Sequence, residues 1–240
     1  MAAERRAWWR RAGVGVMHGA LWGFGFLPSR HRPLRSKEIR TLVFLHGWGS
    51  NRSAFYPLQA YLAFCGYRRQ LSINYPSRTS IEAIALGVKR EIDRQVRGGR
   101  IDLICHSMGG LVARFYVQFL GGERRVDRLI TLATPHQGTY LSAYLPSPLV
   151  AQLRPESALL RRLEAHPWPT QVEAHCLAAE RDLVVLPSTS ALLPFGQCTL
   201  FDELGHGDIL FSPRVFRKIQ NTLDAPRPQR AILPEGASKP

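Results

Sequence analysis

An apolar strand that runs directly into a helix constrains the fold of this chain most. The strand, Ile101–Cys105, leads through C-H-S-M-G-G (residues 105–110) into a helix predicted over Met108–Leu120. A serine at such a junction is held on a tight turn, so its hydroxyl is exposed above the sheet at a helix N-terminus. Small residues on either side of it allow neighbouring backbones to approach closely. This segment predicts a nucleophile at Ser107, and a helix-capping serine is the alternative.

The rest of the chain alternates strands and helices in the same way. Continuous apolar runs indicate strands buried on both faces, and a 3.6-residue apolar period indicates the helices between them. This alternation predicts an α/β fold with a mostly parallel central sheet of about six strands and helices on both faces. The predicted strands are Thr41–Leu45, Arg69–Ile73, Ile101–Cys105, Val126–Ala133, Val172–Ala178 and Cys198–Phe201. The predicted helices are 52–65, 80–96, 108–120 and 213–223.

The length of 240 residues suits one domain with appendages. We predict a basic and apolar N-terminal arm over residues 1–38, the α/β domain over 39–223 and a disordered tail over 224–240. A stretch rich in leucine and proline at about 136–169 predicts a lid-like insertion, or else a capping subdomain that does not move. The four cysteines contain no C-x-x-C pair. They indicate buried thiols, with a Cys176–Cys198 disulfide as the alternative if the protein is exported.

The basic charge is concentrated at the N-terminus. The net charge is +14, and residues 1–40 hold nine basic and two acidic side chains, which is +7. The remaining basic residues are scattered, without the aromatic interleaving or the motifs of nucleic-acid binders. The charge pattern therefore argues against nucleic acid as a partner.

Three interpretations of the N-terminal arm stay open. Arginines near residue 10 precede a 16-residue apolar run, Ala12–Leu27, which is shorter than the ~20 residues that span a bilayer. Arginines and tryptophans together are typical of an anchor on an anionic membrane surface. The same polarity also suits an export signal, and the alternation of aromatic residues with glycine suits a strand at the core edge. The expected location is cytoplasmic or membrane-associated, with export as the alternative.

A serine nucleophile needs a base, an orienting acid and donors for an oxyanion. Asp182 follows the strand Val172–Ala178, and His206 stands between two glycines after the last strand, which gives the order Ser, Asp, His. Glu180, Asp202 and Asp208 are alternative acids. The backbone N–H groups of Met108, after the nucleophile, and of Trp48, in the glycine-containing loop after the first strand, are the expected oxyanion donors.

Five strings resemble those of the small bacterial lipases and esterases of the α/β-hydrolase superfamily. They are L-H-G-W-G-S (45–50), C-H-S-M-G-G (105–110), T-L-A-T-P-H-Q-G-T (131–139), D-L-V-V (182–185) and G-H-G-D-I-L (205–210). The resemblance implies an α/β-hydrolase fold and a catalytic triad of Ser107, Asp182 and His206. It also implies oxyanion amides at Trp48 and Met108. Cys105 departs from the family pattern, which has glycine there.

The same resemblance implies cleavage of carboxylic esters with medium to long acyl chains through an acyl-enzyme, without a cofactor. Asp208 stands where some of these lipases place a calcium ligand, but the second carboxylate has no counterpart, so no metal is expected. We expect a lipid or other ester as substrate, and an anionic membrane surface as a partner of the N-terminal arm. The substrate pocket or lid is expected to use Tyr140, Leu141, Tyr144, Leu145 and Leu149. The alternatives are an acyltransferase with the same triad and a non-catalytic membrane-associated scaffold.

Overall fold

All six predicted strands form, and they lie side by side in one sheet. The computed structural model describes residues 40–226. The sheet has the order β2-β1-β3-β4-β5-β6, and every neighbouring pair is parallel. The prediction of a mostly parallel sheet of about six strands is confirmed. The strands are β1 (Arg40–Leu45), β2 (Gln70–Ile73), β3 (Arg100–His106), β4 (Val126–Leu132), β5 (Glu173–Ala179) and β6 (Gln197–Phe201).

The helices begin and end close to the predicted positions. The α-helices are α1 (Tyr56–Phe64), α2 (Ile81–Gln95), α3 (Met108–Phe119), α4 (Pro148–Ala151), α5 (Ala158–Ala165) and α6 (Pro213–Asp224). The side chain of Ser80 caps α2 by accepting a hydrogen bond from the amide of Ala83. The predicted helix 52–65 is divided into a 3-10 turn, Arg52–Phe55, and α1. Pro57 explains this division, because it has no N–H to donate to the carbonyl of Ser53.

Two apolar layers cover the two faces of the sheet. Alternate residues of a strand point to opposite faces, and β1 shows this directly. Val43 and Leu45 pack with α2, α3 and α5, whereas Leu42 and Phe44 pack with α1 and α6. All four side chains are at most 1% exposed. The parallel sheet is therefore buried on both sides, as its continuous apolar strands require.

A buried arginine joins the sheet to the end of α6. Arg128 of β4 has no exposed side-chain surface and lies 2.7 Å from the Glu173 carboxylate. Its guanidinium also donates to the carbonyl oxygens of Leu223, Ala225 and Pro226. Asp224, placed at the start of the predicted tail, is instead the last residue of α6. The rest of that tail after residue 226, and the predicted N-terminal arm, lie outside the described residues.

The predicted insertion leaves the sheet after β4 and returns at β5. It holds a 3-10 turn, Tyr140–Tyr144, and the helices α4 and α5. The side chains of Arg114 and Gln118 on α3 both donate to the carbonyl of Leu163 near the end of α5. These contacts attach the second half of the insertion to the helix that begins at Ser107. A lid-like movement of the first half stays a prediction. No helix within residues 40–226 is long and apolar enough to cross a membrane.

Candidate active site

Ser107 occupies a strained turn between β3 and α3. Its φ of 52° and ψ of −128° place a non-glycine residue at positive φ, a backbone conformation that costs on the order of 1–3 kcal/mol. The glycines that follow allow the turn to pack closely. A Cβ on Gly109 would lie 2.6 Å from the carbonyl oxygen of His46, and one on Gly110 would lie 2.6 Å from Cγ2 of Thr134. The turn therefore requires small residues after the serine.

Cys105 stands where the related motif has glycine, and the turn forms with it. The side chain is fully buried in the core layer that faces α2 and α3. Burial raises the pKa of the Cys105 thiol well above its ordinary value, because the thiolate would lose its hydration. The residue is thus a neutral core side chain beneath the nucleophile.

His206 and Asp182 meet at the same rim of the sheet. Nδ1 of His206 lies 2.8 Å from Oδ2 of Asp182. The other carboxylate oxygen, Oδ1, accepts hydrogen bonds of 2.8 Å from the amides of Val184 and Val185. The ionised carboxylate can only accept, so Nδ1 carries the proton and Nε2 of neutral His206 is left as the basic nitrogen.

The alternative acids lie at the surface or bond within the loop that carries His206. Glu180 and Asp202 are exposed, and Asp202 lies 3.5 Å from Arg214. Asp208 accepts a hydrogen bond of 2.9 Å from the amide of Gly205 and so holds the loop that carries His206.

Among the described residues no group of three or more His, Cys, Asp and Glu side chains is placed to hold a metal ion.

Ser107 and His206 line one cavity of about 370 Å³. No hydrogen bond joins the Ser107 hydroxyl to His206 among the residues described. Catalytic contacts of this kind often tighten only when substrate is bound. The wall is mostly apolar, with Leu141, Leu145, Val150, Leu153, Val184 and Leu210 as its aliphatic members.

The two expected oxyanion donors flank the nucleophile. Met108 is the first residue of α3, and Trp48 lines the cavity from the loop after β1. Neither amide N–H has a hydrogen-bond acceptor within residues 40–226. That loop is close to the serine, since a Cβ on Gly47 would lie 3.0 Å from Cβ of Ser107. The role of these two amides as oxyanion donors stays a prediction.

Tyr75 supports the loop after β1 from behind. Its hydroxyl donates to the carbonyl of His46, and its ring stacks on the His46 ring with centroids 4.1 Å apart. Burial lowers the pKa of His46 to about 4, because the charged ring would lose its hydration. His46 is therefore neutral at neutral pH.

The expected pocket residues divide into three groups. Leu141 and Leu145 line the cavity, whereas Tyr140 and Tyr144 are 64% and 81% exposed. Leu149 differs from the prediction, because α4 turns its side chain into the core, where it is 2% exposed. Val150 and Leu153, from the apolar face of the predicted insertion, also line the cavity. Thr139, Ser142, Val184 and Leu210 line it too and were not among the expected pocket residues. Val184 and Leu210 lie inside the D-L-V-V and G-H-G-D-I-L strings, so these strings could have indicated both as pocket residues.

The cysteines are all free thiols, and two of them are not buried. Cys105 and Cys176 are buried, whereas Cys65 is half-buried and Cys198 is exposed. The prediction of a buried thiol is therefore wrong for these last two. Cys198 is exposed because β6 is the edge strand and most of its residues face solvent.

Known hydrolases resemble this chain in sequence and in structure. The family model of palmitoyl protein thioesterase matches residues 67–180, a little less than half of the chain. No curated protein sequence matches the chain. The mature lipase BlEst2 of Bacillus licheniformis is similar in structure, with a TM-score of 0.65 and 18% identity over 82% of this chain and 94% of that one.

Two further structures show the same architecture. The carboxylesterase CesB of Bacillus subtilis has a TM-score of 0.58 and 14% identity, over 90% of this chain and 98% of that one. The alpha/beta hydrolase domain-containing protein 10 from mouse has a TM-score of 0.55 and 17% identity, over 80% and 90%. At these identities the likeness establishes the fold alone. This chain has the α/β-hydrolase fold, which is also found in bacterial lipases and carboxylesterases.

Proposed function

We propose that this protein is a serine hydrolase that cleaves carboxylic esters of apolar acyl groups. One observation carries the proposal. Ser107, on its strained turn, shares the wall of an apolar cavity with His206, whose Nδ1 is held by Asp182 at 2.8 Å. A nucleophile, a base and an orienting acid are the parts that acyl transfer from an ester requires.

In the proposed reaction, Nε2 of His206 takes the proton of the Ser107 hydroxyl as Oγ bonds to the ester carbonyl carbon. The amides of Trp48 and Met108 bind the oxyanion of the tetrahedral intermediate. The intermediate collapses, and His206 gives its proton to the departing alkoxide. Water then attacks the acyl-serine with His206 again as base, which releases the carboxylic acid and restores Ser107. Asp182 stabilises the imidazolium at both steps.

The cavity wall supports medium to long acyl chains as the preferred substrates. Its aliphatic side chains present more apolar surface than an acetyl group can cover, and a longer acyl chain would bury that surface. Exposed apolar residues continue from the cavity to the surface, because Trp48 and Val184 line the cavity and are 43% and 39% exposed. Leu183, beside Val184 in the chain, is 75% exposed. Such a patch suits a substrate that is delivered from a lipid phase.

The proposed partner of the N-terminal arm is an anionic membrane surface. Four of its arginines, Arg5, Arg6, Arg10 and Arg11, precede the apolar run. Their replacement by glutamine in the full chain should weaken binding to vesicles that contain phosphatidylserine and leave turnover of a soluble ester within about twofold. Unchanged vesicle binding would refute the role of the arm.

Ser107→Ala tests the proposed function directly. The purified variant should lose at least about 1,000-fold of the wild-type rate on p-nitrophenyl octanoate, since the acyl-enzyme cannot form. Its thermal unfolding midpoint should not fall, because alanine fits the same space. A fluorophosphonate should label the wild-type protein at Ser107 and leave the variant unlabelled. Turnover that persists in the variant would refute the assignment.

A thioester substrate is the second candidate, and the family match over residues 67–180 favours it. The same residues would attack a thioester carbonyl, and a thiolate would depart in place of an alkoxide. The comparison of an octanoyl oxyester with the octanoyl thioester of the same chain length distinguishes the two. A kcat/KM at least about 10-fold higher for the thioester, or about 1.4 kcal/mol of discrimination, would make it the preferred substrate class.

A further inference from the structure

We propose that His106 is a positioning residue, which holds the loop of the catalytic base at a fixed distance from the nucleophile. The proposal rests on the proposed function, because it concerns how His206 is aligned with Ser107. His106 is the residue before Ser107 and the last residue of β3. Its backbone is therefore as fixed as the central sheet itself.

The side chain of His106 reaches the backbone of His206. Nε2 of His106 lies 3.1 Å from the carbonyl oxygen of His206, and the two ring centroids are 4.7 Å apart. A carbonyl oxygen can only accept a hydrogen bond, so Nε2 of His106 carries the proton. The ring is 6% exposed, which shields this bond from competing water.

The other edge of the same ring packs against the loop of the oxyanion donor. A Cβ on Gly47 would lie 3.2 Å from Nδ1 of His106, so the ring fills the space that a larger residue at 47 would need. His106 thus contacts the base loop and the Trp48 loop, and it is covalently joined to the nucleophile.

The base loop needs such a restraint. Gly205 and Gly207 flank His206, and glycine leaves the backbone many conformations. Asp182 orients the imidazole through Nδ1, and Asp208 bonds within the loop to the amide of Gly205. Neither contact determines how far the backbone of His206 lies from Ser107. The bond from His106 to the His206 carbonyl supplies that second restraint. A misplacement of about 1 Å at a catalytic group can cost on the order of 100-fold in rate.

Two substitutions separate hydrogen bonding from packing. His106→Phe keeps a planar ring and removes the donor, whereas His106→Gln keeps an N–H donor at a similar distance from the backbone. We expect His106→Phe to lower kcat on p-nitrophenyl octanoate by about 10–100-fold with KM within about threefold. His106→Gln should recover most of that loss. The exposed His166→Gln is the matched control and should retain the wild-type kcat.

Histidine NMR provides a readout that does not depend on turnover. In ¹⁵N-labelled wild-type protein, His106 should be the Nε2–H tautomer, and the Nδ1–H proton of His206 should be visible at low field. In folded His106→Phe that proton should shift or broaden, because the base loop has lost its restraint. The opposite tautomer of His106 would overturn the proposal even if the variants fail to fold. Equal kcat losses in the Phe and Gln variants, or none in either, would also overturn it.

The two proposals fail in different ways. If the wild-type protein hydrolyses neither esters nor thioesters while His106 is the Nε2–H tautomer, the proposed function fails and the hydrogen bond stands. If the wild-type protein is active and His106→Phe is equally active, the proposed function stands and the positioning role fails.

Discussion

Asp182 divides its two carboxylate oxygens between its own loop and His206. Oδ1 accepts from the amides of Val184 and Val185, and Oδ2 contacts Nδ1 of His206 at 2.8 Å. The residue is 3% exposed. Because both oxygens are engaged in a buried site, the carboxylate has a fixed orientation. It can therefore hold the imidazole in one tautomer without moving during the reaction.

Asp182→Asn should abolish most of the activity without unfolding the protein. The amide oxygen can still accept from Val184 and Val185, but its NH2 group would face Nδ1 of His206 and favour the tautomer that protonates Nε2. We expect kcat on a soluble ester to fall by on the order of 10⁴. Asp202→Asn is the matched control, since Asp202 is exposed and pairs with Arg214. Activity of Asp182→Asn within tenfold of wild type would contradict the assignment of the acid.

The aliphatic wall should set the preference for chain length. Leu145 lines the cavity, and Leu145→Ala removes apolar contact that only a longer acyl group can make. We expect kcat/KM for p-nitrophenyl octanoate to fall by about 5–30-fold, while that for the acetate changes less than about twofold.

Tyr144→Ala is the control for this change, because Tyr144 is the preceding residue and is 81% exposed. On monomeric esters it should leave the ratio of octanoate to acetate hydrolysis unchanged. A parallel loss for both esters in Leu145→Ala would show that the residue acts on folding or alignment and not on the acyl chain.

The sheet and its helices could be predicted from the sequence because burial on both faces leaves a strong local pattern. Each predicted strand agrees with the structure to within one or two residues, since continuous apolar runs distinguish β1 and β3 from the amphipathic α2. Where a predicted element differs, a local cause is visible, such as the 3-10 turn before Pro57. Edge position is not a local property, so the exposure of Cys198 on β6 could not be read from its neighbours.

Residues that act across the fold were harder to predict. Ser107 and His206 stand in recognisable strings, but the contact from His106 to the His206 carbonyl joins residues 100 positions apart. The support of His46 by Tyr75 likewise joins two loops at the same sheet rim. The direction of Leu149 depends on where Pro148 starts a short helix. Apolar composition alone identified the insertion and could not separate its pocket face from its core face.

Buried histidines should make the protein less stable in mild acid. Burial lowers the pKa of His46 to about 4 from 6.5 and also lowers that of His136. Between these values the unfolded chain binds a proton at His46 and the folded chain does not. The stabilisation is therefore fully present above pH 6.5 and is lost as the pH falls toward 4, by up to about 3 kcal/mol for His46.

His46→Asn should reduce this pH dependence. Urea unfolding at pH 7.5 and pH 4.5 measures the free energy of unfolding at both ends of the window. The drop between the two should be smaller in His46→Asn than in wild type. The exposed His166→Asn should keep the wild-type drop. An equal drop in all three proteins would contradict a neutral, buried His46.

Two glycine-to-alanine changes should have opposite effects on stability. In Gly109→Ala the new Cβ would lie 2.6 Å from the carbonyl oxygen of His46, in the tight packing of α3 against β1. Backbone atoms cannot rotate away, so we expect a loss of about 2–3 kcal/mol in the free energy of unfolding. Gly87 lies inside α2, and a Cβ there meets no atom within 4 Å. Gly87→Ala should therefore gain about 0.8 kcal/mol, because alanine has the higher helix propensity. Urea titration of both variants measures these changes. If Gly109→Ala were as stable as Gly87→Ala, the close packing of the nucleophile helix on β1 would be refuted.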